Sequence, residues 1–582
     1  MANWKESLSG SSGVGEDGET PLLESPLNTT TAAAGVDAAV DYKGLPVNRF
    51  SSGRWRAASF IIGVEMAERV AYYGISSNLI SYLTGPLGQS TAVAAENVNV
   101  WSGTASMLPL AGAFIADSFL GRYRTILIAT LLYILGLGLL TVSASTASTD
   151  SSYCLDITGP SCSPMGIQKV LFFVSLYLVA IAQSGHKPCV QAFGADQFDE
   201  NDPDECIAKS SFFNWWYFCL CGGTLMTVQF LNYIQDNLSW GLGFGLPCIS
   251  MILALILFLS GTTTYRFMAK QNKENPFVRI GRVFVAAVKN WRVKLQDSAG
   301  SLSLKGSEEF RFLERALLVS DSSKADARMC TVAEVEEAKT FVQLVPIWAT
   351  CLVYGIVFSQ FSTFFTKQGA TMDRATGFGF DVPAASLQSF ISLSIILFIP
   401  IYDRILVPFA RSIMGKPSGI TTLQRIGTGI ALSAVTMIIA ALVEQKRLEV
   451  ASKHGLVDNP HATVPMSIWW LIPQYSLFGV AEGFTMVGLQ EFFYSQMPPE
   501  LKSVGLSLYL SVFGLGSFLS SFMISIIDKL SSKYMDWSWF AYNLNRAHLD
   551  FFYWLLVGMS LIALAAFMLS TKAFVYRKRN PV

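Results

Sequence analysis

The sequence GVEMAERVAYYG, residues 63–74, places three ionisable side chains inside a segment that is otherwise apolar enough to span a membrane. It directly follows the apolar run AASFII at 57–62. A charge at the centre of a bilayer costs about 2.5–3.5 kcal/mol on insertion scales, so Glu65, Glu68 and Arg69 need a reason to be there. Glu65 and Arg69 lie four residues apart, which puts opposite charges on one helix face. Because ionisable residues inside membranes mark substrate and ion pathways, the stretch predicts a functional site within a membrane helix.

The composition indicates a membrane protein with many spans. The chain has 582 residues, of which 51% are hydrophobic and only 14% are charged, whereas soluble domains carry about 25% charged residues. Its net charge of zero gives no sign of nucleic-acid binding. The four histidines and nine cysteines lack metal-ligand spacing, and the sequence contains no GxxxxGK[ST] phosphate loop. We therefore expect no cofactor, no bound metal and no enzymatic activity.

Twelve apolar segments are long enough to cross a bilayer, which takes about 20 residues as a helix. A polar linker with many Lys and Arg residues, 264–340, separates the first six from the last six. Two such halves are typical of secondary transporters that close on a central site. The prediction is an all-α membrane protein with twelve transmembrane helices at 56–83, 98–119, 124–146, 167–190, 211–235, 241–263, 341–366, 385–408, 424–445, 467–493, 503–527 and 550–573. The domains are then a tail at 1–50, an N-terminal bundle at 51–263, the linker at 264–340, a C-terminal bundle at 341–575 and a tail at 576–582.

Basic loops set the predicted orientation, because Lys and Arg stay on the cytosolic side of a membrane. The linker and the final RKR at 577–579 are basic, so both tails and the linker are expected in the cytosol. The first 50 residues are rich in Gly, Ser, Thr and Ala, lack an apolar run, and are predicted to be disordered. On the opposite side, a polar loop holds Cys154 and Cys162, which form a candidate disulfide.

The motif ExxER at residues 65–69, followed by Tyr72 and Tyr73, resembles the signature of the proton-coupled oligopeptide transporters. The resemblance is closest to their plant branch, the nitrate/peptide transporter family, and runs from about residue 43 to 575. It implies the major facilitator superfamily fold, with two six-helix bundles. Six further segments match the family in order: LPLAGAFIADSFLGRYRT (108–125), SGHKPCVQAFGADQFD (184–199), FFNWWYFCLCGGTL (212–225), CTVAEVEEAK (330–339), GITTLQRIGTG (419–429) and VAEGF (480–484).

Lys187 and Glu482 are isolated charges at membrane depth, one in each half of the chain. A buried charge needs a partner or a changed protonation state, so the simplest inference is that the two pair across a central cavity. The alternative is that each side chain extends to a membrane interface. In the family that the chain resembles, the matching lysine and glutamate form an ion pair that links the bundles.

The resemblance also implies a proton-linked switch at the ExxER motif. With Glu65 and Glu68 ionised, Arg69 is paired; protonation of a glutamate frees Arg69 and Lys187 to attract an anionic group. Arg suits this role because it stays charged and offers a planar fork of donors. The substrate then competes for the pair between Lys187 and Glu482, and the bundles rock.

The ADSFLGR segment holds a candidate cytosolic gate and a candidate regulatory site. Asp117 and Arg122 span a short turn, where an ion pair between them can lock the inward side, although Arg122 also simply marks a cytosolic loop. Thr125 follows Arg122 at the spacing that basic-directed kinases use. It matches a phosphorylated threonine of a nitrate-transporting relative, so the resemblance makes a kinase a candidate partner.

Several residues depart from the family pattern and bear on the substrate. Phe358 stands where a nitrate-transporting relative has a histidine, and a phenyl ring cannot donate a hydrogen bond to nitrate. Ser76 and Cys221 replace an arginine and an asparagine that bacterial peptide transporters use. Gln360 is a candidate neutral hydrogen-bonding group for a bulkier metabolite. The predicted substrate-binding and gating set is therefore Lys187, Glu482, Tyr72, Tyr73, Phe358, Gln360 and Cys221.

The sequence thus predicts a proton-coupled symporter of a small anionic or zwitterionic solute, such as nitrate, a di- or tripeptide or a plant metabolite. The alternatives are a facilitator without proton coupling and a transporter-like sensor that signals through its linker. The segment Glu19-Thr-Pro-Leu22-Leu23 resembles an acidic dileucine sorting signal, although two leucines in a tail also occur without function. It makes a sorting adaptor a candidate partner and favours the vacuolar membrane over the plasma membrane, the two sites of the family's plant members.

Overall fold

Long helices make up most of the structure, a computed structural model that describes residues 35–49, 52–154, 166–199, 202–268, 276–291, 310–317, 330–375, 381–406, 408–409, 412, 420–460, 462–497, 502–534 and 538–574. The helices are α1 (Arg54–Ser76), α2 (Leu79–Thr84), α3 (Thr91–Ile115), α4 (Arg122–Cys154), α5 (Gly166–Ala195), α6 (Pro203–Asn237), α7 (Trp240–Ser260), α8 (Pro276–Lys289), α9 (Val332–Phe358), α10 (Phe364–Ala370), α11 (Ser389–Ile401), α12 (Thr422–Lys453), α13 (Ile472–Gln496), α14 (Lys502–Tyr534) and α15 (Leu549–Ala573). The strands are β1 (Gly35–Val40), β2 (Pro46–Asn48), β3 (Phe267–Met268), β4 (Met372–Asp373) and β5 (Val464–Ser467).

Each of the twelve predicted membrane spans falls on one or more of these helices, which confirms the predicted fold class. The first predicted span is divided, because α1 ends at Ser76 and α2 continues from Leu79. α1 carries the charged motif. Within the described part of the chain, eight helical stretches are long and apolar enough to cross a membrane: Arg122–Thr146, Ile167–Ala195, Trp240–Thr264, Val332–Phe358, Ala384–Leu406, Thr422–Lys453, Gly505–Lys533 and Leu549–Lys572.

Capping side chains fix where several helices begin. Thr331 and Glu334 form a capping box at the start of α9, in which the Thr331 hydroxyl accepts from the Glu334 N–H at 3.3 Å and the carboxylate accepts from the Thr331 N–H at 2.8 Å. Asp202 caps α6 just before Pro203, which suits the first helical position. Because of the Thr331 cap, the seventh span begins at Val332, nine residues before the predicted boundary at 341.

The helices form two bundles, α1 to α7 and α9 to α15, which meet along α3 against α14 and along α6 against α11. We call the side of the bundles that carries the linker the linker end, and the opposite side the far end. α3 and α14 approach closely because both have glycine at the crossing. A Cβ atom on Gly103 would lie 2.9 Å from the Gly514 carbonyl oxygen, a separation that real Cβ atoms essentially never have.

Residues 35–49, the described part of the tail that the sequence predicts to be disordered, contain the short strands β1 and β2. β1 pairs antiparallel with β2 and with β3, so the sheet order is β2-β1-β3 and the tail is tied to the start of the linker. The linker itself contains α8 and a short 3-10 helix at Arg311–Leu317. Both segments follow from tertiary contacts, since neither has a long apolar run.

A buried ion pair holds the tail against the N-terminal bundle at the linker end. Glu205, in the first turn of α6, accepts from Arg266 at 2.7 and 3.3 Å, and both side chains are fully buried. Arg266 also donates to the Ser52 carbonyl at 2.9 Å, and Arg49 bridges to Asp199 at 2.5 Å. We call this set, Arg49, Asp199, Glu205 and Arg266, the tail clasp.

Candidate functional site

The three charges of the ExxER motif lie together inside the N-terminal bundle. Glu65, Glu68 and Arg69 are all buried on α1. The Arg69 Nε atom lies 3.1 Å from Oε1 of Glu65, and Nη2 lies 2.5 Å from Oε2 of Glu68. The Arg69 Nε–H does not point along a hydrogen bond, so the contact with Glu65 is chiefly electrostatic. One guanidinium therefore sits between two carboxylates, as the spacing predicts.

Two neutral side chains from neighbouring helices complete the surroundings of Glu68. The Tyr133 hydroxyl on α4 donates to Oε1 of Glu68 at 3.3 Å, and the Gln183 amide on α5 donates to the same oxygen at 3.5 Å. The sequence analysis missed both residues. Gln183 is a polar residue in an apolar span, a signal that could have identified it. These donors stabilise the ionised carboxylate.

Lys187, on α5, lies near the same cluster. Its Nζ atom is 5.9 Å from the centre of the Tyr72 ring, within the range of a cation–π contact. Tyr72 stacks on Trp101 at 5.6 Å and meets Tyr73 edge-on at 5.3 Å. Lys187 is half-buried, and its charge interacts with Arg69 and with both glutamates of the motif.

Glu482 lies on α13 of the other bundle and is half-buried. It lies close enough to Tyr73 and Tyr354 to interact electrostatically with both hydroxyls. Over the described residues, no ion pair joins Glu482 to Lys187, so the predicted pair is not formed in this conformation. Tyr73 of the N-terminal bundle and Glu482 of the C-terminal bundle nevertheless lie close to each other at the site.

The five ionisable groups of the site carry two positive and three negative formal charges. Glu65, Glu68, Arg69 and Lys187 balance each other within the N-terminal bundle, and Glu482 adds one negative charge from the C-terminal bundle. Among the described residues, no positively charged group acts on the Glu482 carboxylate. The site can therefore take up one proton and become neutral, and a second proton would leave a surplus positive charge for an anion.

Aromatic rings cluster in the C-terminal bundle, one helical turn along α9 from Tyr354, on whose hydroxyl Glu482 acts; we call Phe358, Phe361 and Phe513 the aromatic wall. Phe358 is half-buried, and its ring centre lies 4.9 Å from that of Phe513 and 5.0 Å from that of Phe361. Because these rings offer no hydrogen-bond donor, this wall suits apolar parts of a ligand. Cys221 on α6 is buried near Tyr73.

Gln360 does not lie on this wall, which differs from its predicted role as a ligand contact. It is fully buried, and its amide donates to the Ile356 carbonyl at 2.7 Å and to the Ser520 hydroxyl at 3.1 Å. Ser520 also accepts from Asn99 of the other bundle. Gln360 therefore stabilises the contact between the bundles in this conformation.

The far end of the molecule is closed. Among the described residues, several hydrogen bonds and an ion pair join the bundles on this side of the charged cluster. They include the bonds of Asn99 to Ser520 at 3.1 Å, Gln229 to Ser389 at 2.5 Å, Gln388 to the Ser77 carbonyl at 2.8 Å and Lys367 to Thr84 at 3.0 Å, and the contact of Arg374 with Asp236 at 3.7 Å. A two-bundle protein closed at one end presents its central site toward the other, which here is the linker end.

At the linker end, Arg122 forms an ion pair with Asp196 at the end of α5. Asp117, its predicted partner, lies in a π-helical turn at Ala116–Leu120, and its side chain is outside the described part of the structure. Thr125 is buried, and its hydroxyl donates to the Gly121 carbonyl at 2.9 Å. A kinase cannot reach Thr125 in this conformation.

Two other predicted features lie outside the described part of the structure. Cys162 and the side chain of Cys154 are not described, so the candidate disulfide stays a prediction. Leu22 and Leu23, the candidate sorting signal, fall in the undescribed start of the chain.

Comparisons with known proteins agree with this architecture. The sequence pattern of the POT family matches residues 123–540. Two proteins of Arabidopsis thaliana are similar over nearly their whole length: Protein NRT1/ PTR FAMILY 5.10 is 60% identical, covering 97% of this chain and 99% of its own, and Protein NRT1/ PTR FAMILY 5.14 is 56% identical, covering 94% and 98%. An auto-inhibited POT family peptide transporter of known crystal structure superimposes with a TM-score of 0.69 at 23% identity, covering 90% of this chain and 99% of its own. The POT family transporter PepTSo gives 0.68 at 21% identity, with 89% and 98% coverage.

Proposed function

Because the chain belongs to the POT family of membrane transporters, we propose that it moves a small anionic or zwitterionic solute together with protons by alternating access. The observation that carries this proposal is the buried group of Glu65, Glu68 and Arg69, faced by Lys187 and Glu482. Charges at membrane depth are retained where they bind substrates or relay protons.

Proton coupling follows from competition for Arg69. While both glutamates are ionised, they hold the guanidinium between them at 3.1 and 2.5 Å. A proton on either carboxyl removes one negative charge, so Arg69 can bind an anionic group of the solute. The bound solute in turn favours the protonated carboxyl, because coupling between two binding events is reciprocal.

The solute class follows from the charged and apolar parts of the site. Arg69 and Lys187 supply the attraction for an anionic group, and Glu482 suits a protonated amine of a zwitterion. The ring of Phe358 lies among other aromatic rings and contributes no donor. Nitrate, if carried, depends on the two cations alone, whereas a metabolite with an apolar body can also use the aromatic wall.

The proposed cycle begins from the conformation described here, which is closed at the far end. Solute and protons leave toward the linker end, which basic loops place in the cytosol. As the bundles rock, Lys187 and Glu482 approach and form the pair that is absent here.

The Leu22-Leu23 signal directs the protein to the vacuolar membrane. The test is to compare the location of the tagged wild type with that of tagged Leu22→Ala/Leu23→Ala. A plasma-membrane location of the wild type is the alternative outcome.

The test is solute uptake into proteoliposomes that contain the purified full chain. Nitrate, a dialanine peptide and a set of plant carboxylates serve as probes, each with and without an imposed pH gradient at clamped voltage. We expect at least one probe to accumulate above its equilibrium level only when the gradient is present, and a protonophore to abolish the accumulation.

Two other outcomes would contradict the proposal. Uptake that follows only the solute gradient and voltage identifies a facilitator. Binding of a probe without net flux identifies a sensor built on the transporter fold, because a sensor needs no alternating access.

A further inference from the structure

His186 is a buried histidine that has no role in the proposed cycle. It follows Gln183 by three residues on α5 and directly precedes Lys187. The side chain is 0% exposed, and neither ring nitrogen has a hydrogen-bond partner within the described structure. Leaving a buried polar atom without a partner costs about 1–3 kcal/mol. A neutral imidazole has one donor nitrogen and one acceptor nitrogen. Because both nitrogens of His186 lack a partner, the ring needs a hydrogen-bonding group that is not a protein atom.

The surroundings of His186 connect it to the ExxER motif. Its ring lies edge-on to that of Tyr133, with 6.3 Å between ring centres. The Tyr133 hydroxyl reaches Glu68 at 3.3 Å. Glu68 and Arg69 are the charged groups that act on the imidazole. His186 therefore lies near Glu68, beside the Tyr133 ring.

Other polar atoms in the same part of the bundle also lack partners. Oε1 of Gln183 is buried without a hydrogen bond, although its amide group contacts Glu68. Oε2 of Glu65 is likewise buried without a hydrogen bond. Unpartnered atoms that converge from α1 and α5 are the usual setting of ordered water, which typically makes about three hydrogen bonds.

We infer that ordered water fills the space between Glu68, Tyr133, Gln183 and His186, and that His186 is a second proton-binding group of this transporter. The proton leaves the carboxyl group of Glu68, crosses on water, and binds the free ring nitrogen of His186. The carboxyl becomes a carboxylate and the imidazole becomes an imidazolium, so the total charge is unchanged. This inference rests on the proposed proton coupling and extends it to a residue outside the motif.

Whether the proton is bound to Glu68 or to His186 depends on the charged groups that face these two side chains. α1 presents Glu65, Glu68 and Arg69, α4 presents Tyr133, and α5 itself adds Lys187. α3 approaches this part of α5 with Gly112 against the Ser184 backbone. Arg69 opposes a charged imidazole, whereas ionised Glu68 favours it. When an anionic solute draws Arg69 away, the imidazolium becomes more favourable.

The first experiment measures the protonation of His186 directly by NMR and needs no solute. The full chain contains four histidines, so ¹⁵N-histidine labelling in lipid nanodiscs gives few ring signals, and His186→Asn assigns the relevant ones. Over pH 4–9 we expect the His186 signals to titrate. In Glu68→Gln we expect the midpoint to move by at least about half a pH unit, roughly a threefold change in proton affinity.

The matched control is His454, an exposed histidine at the far end whose ring nitrogen bonds the Val450 carbonyl at 2.9 Å. Its midpoint should not respond to Glu68→Gln. A His186 that stays in one neutral tautomer over the whole range, or whose titration ignores Glu68→Gln, overturns the inference.

Transport measurements then separate this inference from the proposed function. Asn preserves the ability to bond water but cannot accept a proton at neutral pH, so His186→Asn should shift the pH profile of uptake in the proteoliposome assay while folding and counterflow persist. Proton-driven uptake with an unchanged pH profile and stoichiometry in His186→Asn overturns the inference alone. Absence of proton-driven uptake in the wild type overturns the proposed function.

Discussion

Asn99 of α3 and Ser520 of α14 are joined by a hydrogen bond between the two bundles, with 3.1 Å between Nδ2 and Oγ. Gln360 donates to the same hydroxyl, also at 3.1 Å. All three side chains are buried, so the bond is made where water cannot replace it. This small polar contact lies beside the crossing of Gly103 and Gly514, where the two backbones approach most closely.

We predict that Asn99→Ala weakens closure of the far end. Loss of one buried hydrogen bond is worth about 1 kcal/mol, which changes the ratio of closed to open molecules by roughly fivefold. Distance measurements between spin labels on the far-end loops should detect the larger open population.

Asn97→Ala is the matched control for this change. Asn97 lies two residues away on the same helix, but its amide bonds Gln89 of its own bundle at 3.0 Å. An equal shift in both variants would show that the effect is a general loss of helix stability and would contradict the assigned role of Asn99.

Glu68→Gln should abolish proton-driven accumulation while leaving counterflow of the same solute. The amide keeps the volume of the side chain and its contacts with Tyr133 and Gln183, but it cannot bind and release a proton. A coupling free energy of about 1–3 kcal/mol means that protonation raises the affinity for the solute roughly 5–150-fold, and the variant should lose this pH dependence of solute affinity. The comparison variant is Asp458→Asn, an exposed carboxylate that pairs with Arg546 at the far end. Normal pH-driven uptake by Glu68→Gln would rule out its role in coupling.

Lys187 and Glu482 should interact energetically although they are not paired in this conformation. A double-mutant cycle with Lys187→Met and Glu482→Gln should give a coupling energy of about 0.5–3 kcal/mol in the transport rate, because both residues act in the same step. Lys187→Met combined with Glu449→Gln, an exposed carboxylate paired with Lys446 and Lys453, should be additive. Additivity in both cycles would mean that the bundles are not linked through this pair.

The tail clasp predicts a stability effect that is separate from transport chemistry. Glu205→Gln removes the charge that compensates the buried Arg266, and breaking a buried pair typically costs about 3–5 kcal/mol. The glutamine can keep part of the hydrogen bonding, so we expect the lower end of that range. A lower thermal midpoint of the purified protein should report it, with Glu449→Gln as the exposed control. An unchanged midpoint would show that the tail does not contribute to the stability of the bundle.

The sequence determined the fold and the centre of the site. Apolar length predicts the membrane-spanning helices, because a bilayer leaves a chain few other ways to satisfy its backbone. Local spacing was sufficient for Glu65 and Arg69, since residues four apart on a helix must meet. The isolation of Lys187 and Glu482 in apolar spans marked both as site residues without any knowledge of their neighbours.

Only the tertiary structure decided which distant side chains surround these charges. Tyr133, Gln183 and His186 reach Glu68 because α4 and α5 pack beside α1, and no spacing along the chain contains that arrangement. Likewise, Gln360 is placed at the bundle contact rather than on the aromatic wall by the position of Ser520, 160 residues away. The conformation is also a tertiary property, because the bond between Asn99 and Ser520 joins helices of two different bundles.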